Sequence, residues 1–327
     1  MPVVKWGIVG TGAIAKRFAA ALRQVEGADL AGVASRSAER AAEFAAEHGA
    51  KRVFASYKEM AGCQEIDAVY IATPHSSHCE NTILFLNAGK HVLCEKPMAM
   101  NAKEVRSMIK VAKEKDCFLM EAMWTRFLPA VTGALSLVKE GVIGKIERVK
   151  ADFCFSSVYN PVHRLYNPEL GGGALLDVGV YAISFACFVL GASPEQIAAN
   201  AIFTENGVDA STTVQLRYPH GILADLTASI AEKKPCDAVI TGSDGKITLP
   251  NFYTANHFYL ENGSGKKTYT FPYRGNGFEE EIEAAIQCMA EGKTEEERMP
   301  LSFSLSVAEL MDHVREQIGL RYSSDDK

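Results

Sequence analysis

The stretch VVKWGIVGTGAIAKRFAAALRQ, residues 3–24, decides how the rest of the chain is read. VVKWGIV (3–9) has the composition of a buried strand, and AIAKRFAAALRQ (13–24) has the alanine-rich spacing of a helix. Between them stands Gly10-Thr11-Gly12-Ala13-Ile14-Ala15, a G-x-G-x-x-A pattern. Alone that pattern says little, but between a strand and a helix it has a physical meaning. The first glycine permits a tight turn, the second lets the backbone approach a pyrophosphate, and the small third residue lets helix and strand pack closely. Amides at the helix N-terminus then face the phosphates. Gly10, Thr11, Gly12, Ala13 and Ile14 are therefore expected to hold a dinucleotide; the plainer reading is a glycine-rich turn with no ligand.

The alternation continues outward from this unit. Strand ADLAGVAS (28–35) precedes helix SAERAAEFAAEH (37–48), with Ser37 as N-cap and Gly49 just past its end. A weak strand, VFAS (53–56), a strong one, DAVYIAT (67–73), a helix over 78–90, strand HVLCEKP (91–97), a helix over 101–115 and strand CFLMEAM (117–123) follow. This order predicts an α/β fold, a doubly wound parallel sheet of Rossmann type, over residues 1–122. Over 123–327 the pattern changes. A helix near 129–140 leads to strand IERVKADFCF (146–155), a glycine- and proline-rich loop, and a helix over 174–190. Short strands joined by turns such as GSDG (242–245) and ENGSG (261–265) come next, then helices near 276–291 and 303–318. The expectation is a C-terminal α+β domain on a large, mostly antiparallel open sheet. The closing SSDDK reads as a solvated tail.

Lys and Arg number 34 against 40 Asp and Glu, a net charge of −6, which does not favour nucleic acid or an anionic membrane as partner. MPVVKWGIVG has no basic stretch ahead of a long apolar run, and no run reads as long enough to span a bilayer, so a cytoplasmic protein is expected. The eight cysteines are scattered without a C-x-x-C, which predicts reduced thiols and neither a disulfide nor a zinc framework.

The strand ends carry the chemistry. After the second strand comes Ser35-Arg36-Ser37, where an NAD enzyme usually places an acidic residue. A hydroxyl and a guanidinium suit a 2′-phosphate, and Arg40, one turn on, adds a second cation; NADP(H) is expected over NAD(H). The fourth strand ends in Thr73-Pro74-His75-Ser76-Ser77-His78. Ligands of open α/β sheets bind beyond the C-terminal ends of strands, so Thr73, Pro74, His75 and His78 are expected to line the dinucleotide crevice. The two histidines lack a third ligand at suitable spacing, and no metal is expected. The fifth strand stops at Glu95-Lys96-Pro97; a lysine ending a buried strand is costly unless it is paired or has a task. In Gly171-Gly172-Gly173-Ala174-Leu175-Leu176-Asp177-Val178-Gly179-Val180-Tyr181, helical spacing places Asp177 and Tyr181 on one face, and the glycines allow another group close to the helix start.

The glycine loop, Glu95-Lys96-Pro97 and the G-G-G-x-x-x-D-x-G-x-Y segment, in this order, resemble the Gfo/Idh/MocA oxidoreductase family over nearly the whole chain. Tyr181 stands where many members have histidine. With Glu121-Ala122-Met123-Trp124-Thr125-Arg126-Phe127 and Arg164-Leu165-Tyr166-Asn167-Pro168, it is similar to the branch of dimeric dihydrodiol dehydrogenases and NADP-dependent xylose dehydrogenases. The resemblance implies an NADP(H)-dependent oxidoreductase moving a hydride between nicotinamide and a sugar, polyol or cyclic diol, in a homodimer or higher homo-oligomer. It implies Lys96 and Tyr181 as the catalytic pair. Tyr181 takes the hydroxyl proton while the Lys96 ammonium favours tyrosinate and alkoxide, or Lys96 itself carries the proton. Asp177 binds a substrate hydroxyl or orients Lys96, and Glu95 places the lysine or the nicotinamide ribose. Trp124, expected beside the cofactor, is read with Phe127, Phe153 and Phe155 as an apolar wall for the C–H face of a sugar or the ring of a diol, core packing being the alternative for each phenylalanine; Arg164 is read as an anchor for a substrate oxygen or the cofactor. Two other readings are a non-catalytic NADP-binding regulator and an NAD-dependent glycosidase of the same fold. The joint presence of Glu95, Lys96, Asp177 and Tyr181 weighs against the first, and the 2′-phosphate site against the second.

Overall fold

The computed structural model describes residues 3–326; Lys327, the last residue of the expected tail, lies outside them. The chain divides into two compact units, Met1–Trp124 with Tyr273–Leu305, and Thr125–Pro272 with Ser306–Lys327. The sequence expectation has a single cut after residue 122, whereas here the segment from Tyr273 returns to the first unit.

The first unit is built on six parallel strands: β1 (Val4–Val9), β2 (Ala28–Ala34), β3 (Arg52–Phe54), β4 (Ala68–Ile71), β5 (His91–Glu95) and β6 (Leu119–Ala122). Their spatial order is β3-β2-β1-β4-β5-β6, the doubly wound order with a switch between β1 and β4. Helices α1 (Ala13–Leu22), α2 (Ala38–His48), α3 (Tyr57–Ala61), α4 (His78–Asn87) and α5 (Ala102–Glu114) connect them. The strands read as nearly continuous apolar runs because helices cover the sheet. Trp6, Phe18, Tyr70, Phe85 and Phe118 fill the core. Ser37, Ser56 and Asn101 cap α2, α3 and α5 through their side chains, each satisfying a helix-end amide.

The second unit begins with α6 (Pro129–Lys139), β7 (Ile146–Cys154) and, after a long loop, α7 (Val180–Leu190). Seven strands follow: β8 (Gln196–Phe203), β9 (Asp209–Arg217), β10 (Leu223–Ser229), β11 (Ala238–Gly242), β12 (Gly245–Leu249), β13 (His257–Asn262) and β14 (Gly265–Thr270). They join β7 in an eight-stranded sheet ordered β14-β13-β12-β11-β7-β10-β9-β8. Every neighbouring pair is antiparallel except β7 with β10, so the mostly antiparallel sheet expected from the sequence is present. Two helices complete the chain, α8 (Glu279–Ala290) in the first unit and α9 (Leu301–Ile318), which begins there and ends in the second.

Three local expectations change. The helix drawn over 174–190 opens as a π turn, Leu175–Gly179, before α7, so regular four-residue spacing between Asp177 and Tyr181 does not apply. Gly179 lies tight against β10, where a Cβ would stand 3.3 Å from that of Ala228. By length and composition, Pro168–Leu190 is also apolar enough to cross a membrane, contrary to the sequence reading; 83% of its apolar window is buried inside the unit as core. The closing residues are not a free tail either: Ser323–Asp326 form a 3₁₀ turn and Tyr322 is buried.

α8 carries Glu281 into the core of the first unit, where it has no exposed surface and neither carboxyl oxygen has a hydrogen-bond partner. Burial, followed by the charges of Glu95 and Glu280, raises its pKa well above 4.5. The folded chain keeps this proton where the unfolded chain loses it, so stability falls as pH rises past the ordinary carboxyl range. Glu281→Gln removes that penalty. Its melting temperature relative to the parent is expected to rise by at least about 2 °C between roughly pH 5 and pH 8, measured by calorimetry; a pH-independent difference contradicts the assignment.

Candidate active site

The nucleotide edge of the first unit is assembled from strand ends. Gly10 follows β1 with φ of 101°, and its amide bonds to Ala34 O at 2.9 Å. A Cβ there would lie 2.7 Å from Ala72 O, so glycine is required both by conformation and by the close approach of β4. Gly12 is the N-cap of α1, and no side chain caps that helix. A Cβ on Gly12 would meet nothing within 4 Å. The space beside it, with uncapped amides at the start of a ten-residue helix, fits a pyrophosphate. Ala15 is buried, as close helix–strand packing needs.

Thr11 Oγ1 donates to Ser35 Oγ at 3.5 Å, tying the glycine loop to the end of β2. Ser35 Oγ also accepts from the Ser37 amide, and Ser37 Oγ from the Arg40 amide. Arg36 and Arg40 are exposed. Tyr57, at the start of α3, sits within the field of Arg36: burial raises its pKa and the guanidinium opposes the rise. Sequence reasoning missed Tyr57, although doubly wound topology brings the start of α3 beside the end of β2.

Thr73, Pro74 and His75 follow β4 as expected. His78 does not face a ligand. It has no exposed surface; its Nε2 lies 2.9 Å from Thr73 O and its Nδ1 2.8 Å from Pro97 O. Burial lowers its pKa to about 4, outweighing the two carbonyls; the neutral ring carries a single N–H, so it donates to one of these carbonyls and only packs against the other, between the β4 and β5 ends. Its assignment as a cofactor ligand is corrected accordingly. Trp124 changes too. It is buried, stacked on Phe278 at 4.7 Å, with the Arg17 guanidinium 5.1 Å from each ring. Its ring is packed within the first unit and offers little surface to a cofactor.

At the end of β5, Glu95 is buried. One oxygen accepts from the Tyr70 hydroxyl and the other from the Lys96 amide at 3.2 Å. Tyr70 in turn stacks on Phe18 of α1, ring centroids 3.7 Å apart. Lys96 is half-buried, and the Lys96–Pro97 bond is cis. Just beyond, the Met98 amide donates to Glu121 Oε1 at 3.0 Å; burial raises the Glu121 pKa to about 7. Tyr70 and Glu281 carry no motif, and sequence reasoning missed both.

In the second unit, Arg164 Nη1 donates to Asp177 Oδ1 at 2.9 Å. Asp177 is 4% exposed while Arg164 is half-exposed, so the pair presents one buried carboxylate and one accessible cation. Asp209 Oδ2 accepts from the Leu175 amide at 2.7 Å and from Thr212 Oγ1 at 2.6 Å, anchoring the π turn; burial raises its pKa to about 7. Tyr181 lies in an aromatic group: its ring is 5.3 Å from Phe153 and 6.2 Å from Tyr253, and those two stack at 3.8 Å. Phe155 edges onto Phe153, whereas Phe127 is core. Tyr253 was not legible in advance. Among the described residues, no group of three or more His, Cys, Asp or Glu is placed to hold a metal ion.

Residues 4–123 match the family profile described as "Oxidoreductase family, NAD-binding Rossmann fold", and residues 132–248 match that of the GFO/IDH/MocA C-terminal domain. The chain is 38% identical to a trans-1,2-dihydrobenzene-1,2-diol dehydrogenase of Danio rerio, covering 98% of this chain and 99% of that one. It is 37% identical to the scyllo-inositol 2-dehydrogenase (NADP(+)) IolU of Bacillus subtilis, covering 99% of each. A solved structure of KijD10, a 3-ketoreductase from Actinomadura kijaniata in complex with NADP and TDP-benzene, superposes with a TM-score of 0.89 at 27% identity, covering 97% of this chain and 98% of that one. KijD10 has also been solved with a lysine replaced by alanine and with a tyrosine replaced by phenylalanine. The agreement spans both sheets and the segments that hold the glycine loop, Lys96 and Tyr181: this chain belongs to the Gfo/Idh/MocA oxidoreductase family.

Proposed function

We propose that this chain is an NADP(H)-dependent dehydrogenase acting on a hydroxyl of a cyclic diol, polyol or sugar, and reducing the matching ketone in reverse. The observation that carries this reading is the C-terminal edge of the first sheet. There an uncapped helix N-terminus follows β1, Ser35-Arg36 follows β2, and Glu95-Lys96 ends β5. The first suits a pyrophosphate, the second a 2′-phosphate and the third proton transfer. The NADP of the inositol dehydrogenase and of the ketoreductase supports the same cofactor here.

NADP+, when bound, supplies the hydride acceptor. The remaining work falls to the chain. Arg36 and Arg40 neutralise the 2′-phosphate, while Thr73, Pro74 and His75 line the nucleotide crevice. Glu95 fixes the Lys96 backbone, and with it the start of the lysine side chain. Tyr181 accepts the hydroxyl proton, and the Lys96 ammonium favours tyrosinate and the developing alkoxide. Asp177, held by Arg164, accepts a hydrogen bond from a second substrate hydroxyl, which is why a diol or polyol fits better than a simple alcohol. Phe153 and Tyr253 offer apolar faces to substrate C–H groups. On this reading the first unit holds the dinucleotide and the second the substrate. It includes a homo-oligomer and a cytoplasmic setting, and eight free thiols agree with a reducing compartment.

Tyr181→Phe is expected to lower kcat roughly 100- to 10,000-fold with NADP+ affinity unchanged, the usual worth of a general base. If Lys96 is the proton carrier instead, Tyr181→Phe keeps most of its activity and Lys96→Met does not. Arg36→Ala is expected to raise KM for NADP+ roughly 10- to 100-fold, the worth of one or two charge-assisted bonds, and to leave KM for NAD+ within about twofold. An equal loss with both cofactors contradicts the 2′-phosphate assignment.

A further inference from the structure

Tyr322, just before the SSDDK that the sequence presents as a solvated tail, ties the C-terminus to the glycine segment that precedes Asp177 and Tyr181. Tyr322 is 4% exposed, and its hydroxyl donates to Gly172 O at 2.5 Å. The Arg315 guanidinium lies 4.9 Å from its ring and pairs with Asp312 and Asp325. Asp325 Oδ2 also accepts from the Tyr322 amide at 2.9 Å, and Ser323 Oγ donates to Glu169 Oε2 at 3.2 Å. Leu320 is buried beside them in sequence. Residues 320–325 are thus closed on themselves by one carboxylate and fixed to the body of the second unit by a phenol.

What the phenol grips has no slack. Gly172 N bonds to Asn167 O at 2.9 Å and Gly173 N to Leu165 O at 2.8 Å. A Cβ on Gly172 would lie 2.8 Å from Arg164 O, Leu165 O and Asn167 N. Gly173 has φ of 120°, and a Cβ there would lie 2.2 Å from Asp209 Oδ1 and 3.0 Å from the Tyr322 hydroxyl. The Arg164–Asn167 turn, Asp209 and Tyr322 therefore close on the two glycines together. Arg164 leaves this turn to bond Asp177, and Asp209 holds the first amide of the π turn in which Asp177 sits.

We propose that Tyr322 is a positioning residue: its hydrogen bond to Gly172 fixes the glycine segment, and through it the Arg164–Asp177 pair and the orientation of Tyr181, so that residues 320–325 act as a latch on the substrate side of the site. This rests on the proposed roles of Arg164, Asp177 and Tyr181.

The test compares Tyr322→Phe with Tyr218→Phe. Tyr218 is likewise buried, and its hydroxyl donates to a glycine carbonyl, Gly191 O, at 2.9 Å at the far end of α7. Both variants lose one hydroxyl and its bond to a glycine carbonyl, and Tyr218→Phe also loses the contact with the Cys187 thiol, which makes it the harsher control for stability. For Tyr322→Phe, amide exchange across 172–177 is expected to quicken about tenfold, the measure of one buried hydrogen bond, with exchange in β1 and α1 unchanged. Its kcat is expected to fall about tenfold with NADP+ affinity unchanged, and Tyr218→Phe to keep its kcat at a similar or larger loss of melting temperature. Asp325→Asn, which loosens the latch without touching the phenol, is expected to show the same pattern more weakly and serves if Tyr322→Phe does not fold. Equal exchange and equal kcat in the two tyrosine variants overturn the latch. Full activity of Tyr181→Phe overturns the catalytic reading instead, and the exchange result then decides the latch alone.

Discussion

Glu95 is a carboxylate with almost no access to water, placed where β5 ends and the chain must turn. A buried charge of this kind persists only if its oxygens are satisfied, and the surrounding sheet edge supplies the partners. The Tyr70 hydroxyl reaches across from β4 and the Lys96 amide closes back from the turn. Tyr70 is fixed by stacking on Phe18, which belongs to the helix that starts at the glycine loop. One chain of contacts therefore runs from α1 through β4 to Lys96. His78 adds a second contact, its ring lying between the carbonyls of Thr73 and Pro97. The lysine that follows a buried strand is half-buried, and its backbone amide is held by a carboxylate at the edge where ligands bind in such sheets.

The second unit applies the same logic with other parts. A glycine segment too tight for any side chain precedes a wide π turn, and buried carboxylates take up its amides and its arginine. Asp209 anchors the turn and Asp177 receives Arg164. Asp177 is paired with a guanidinium, while Asp209 bonds through Oδ2 alone and burial raises its pKa to about 7; both contacts fix the backbone near Tyr181. Rigid placement of this sort is what a proton-transfer group needs, since misplacement by an ångström is costly to rate.

Much of this was legible in the residues. The glycine loop, the alternation of strands and helices and the polar strand ends give the first sheet and its nucleotide edge, because each rests on local spacing. The mostly antiparallel second sheet follows from short strands with tight turns. What was not legible depends on long-range packing. His78 looks like a ligand until burial shows both nitrogens on carbonyls, and Trp124 looks like a wall until Phe278, distant in sequence, takes its face. The return of α8 with Glu281, the π turn before α7 and the tie from Tyr322 to Gly172 leave no periodic trace. SSDDK reads as solvated, yet Ser323 bonds Glu169, Asp325 pairs with Arg315, and Tyr322 just before them is buried.

The most direct test of the account is the rate of NADPH formation by the purified chain, followed by nicotinamide absorbance, with NADP+ or NAD+ and a panel of trans-diols, inositols and aldoses. The account predicts turnover of at least one vicinal diol or polyol, with NADP+ preferred over NAD+. Tight NADP+ binding without turnover of any of these alcohols, and without reduction of the corresponding ketones by NADPH, would contradict it.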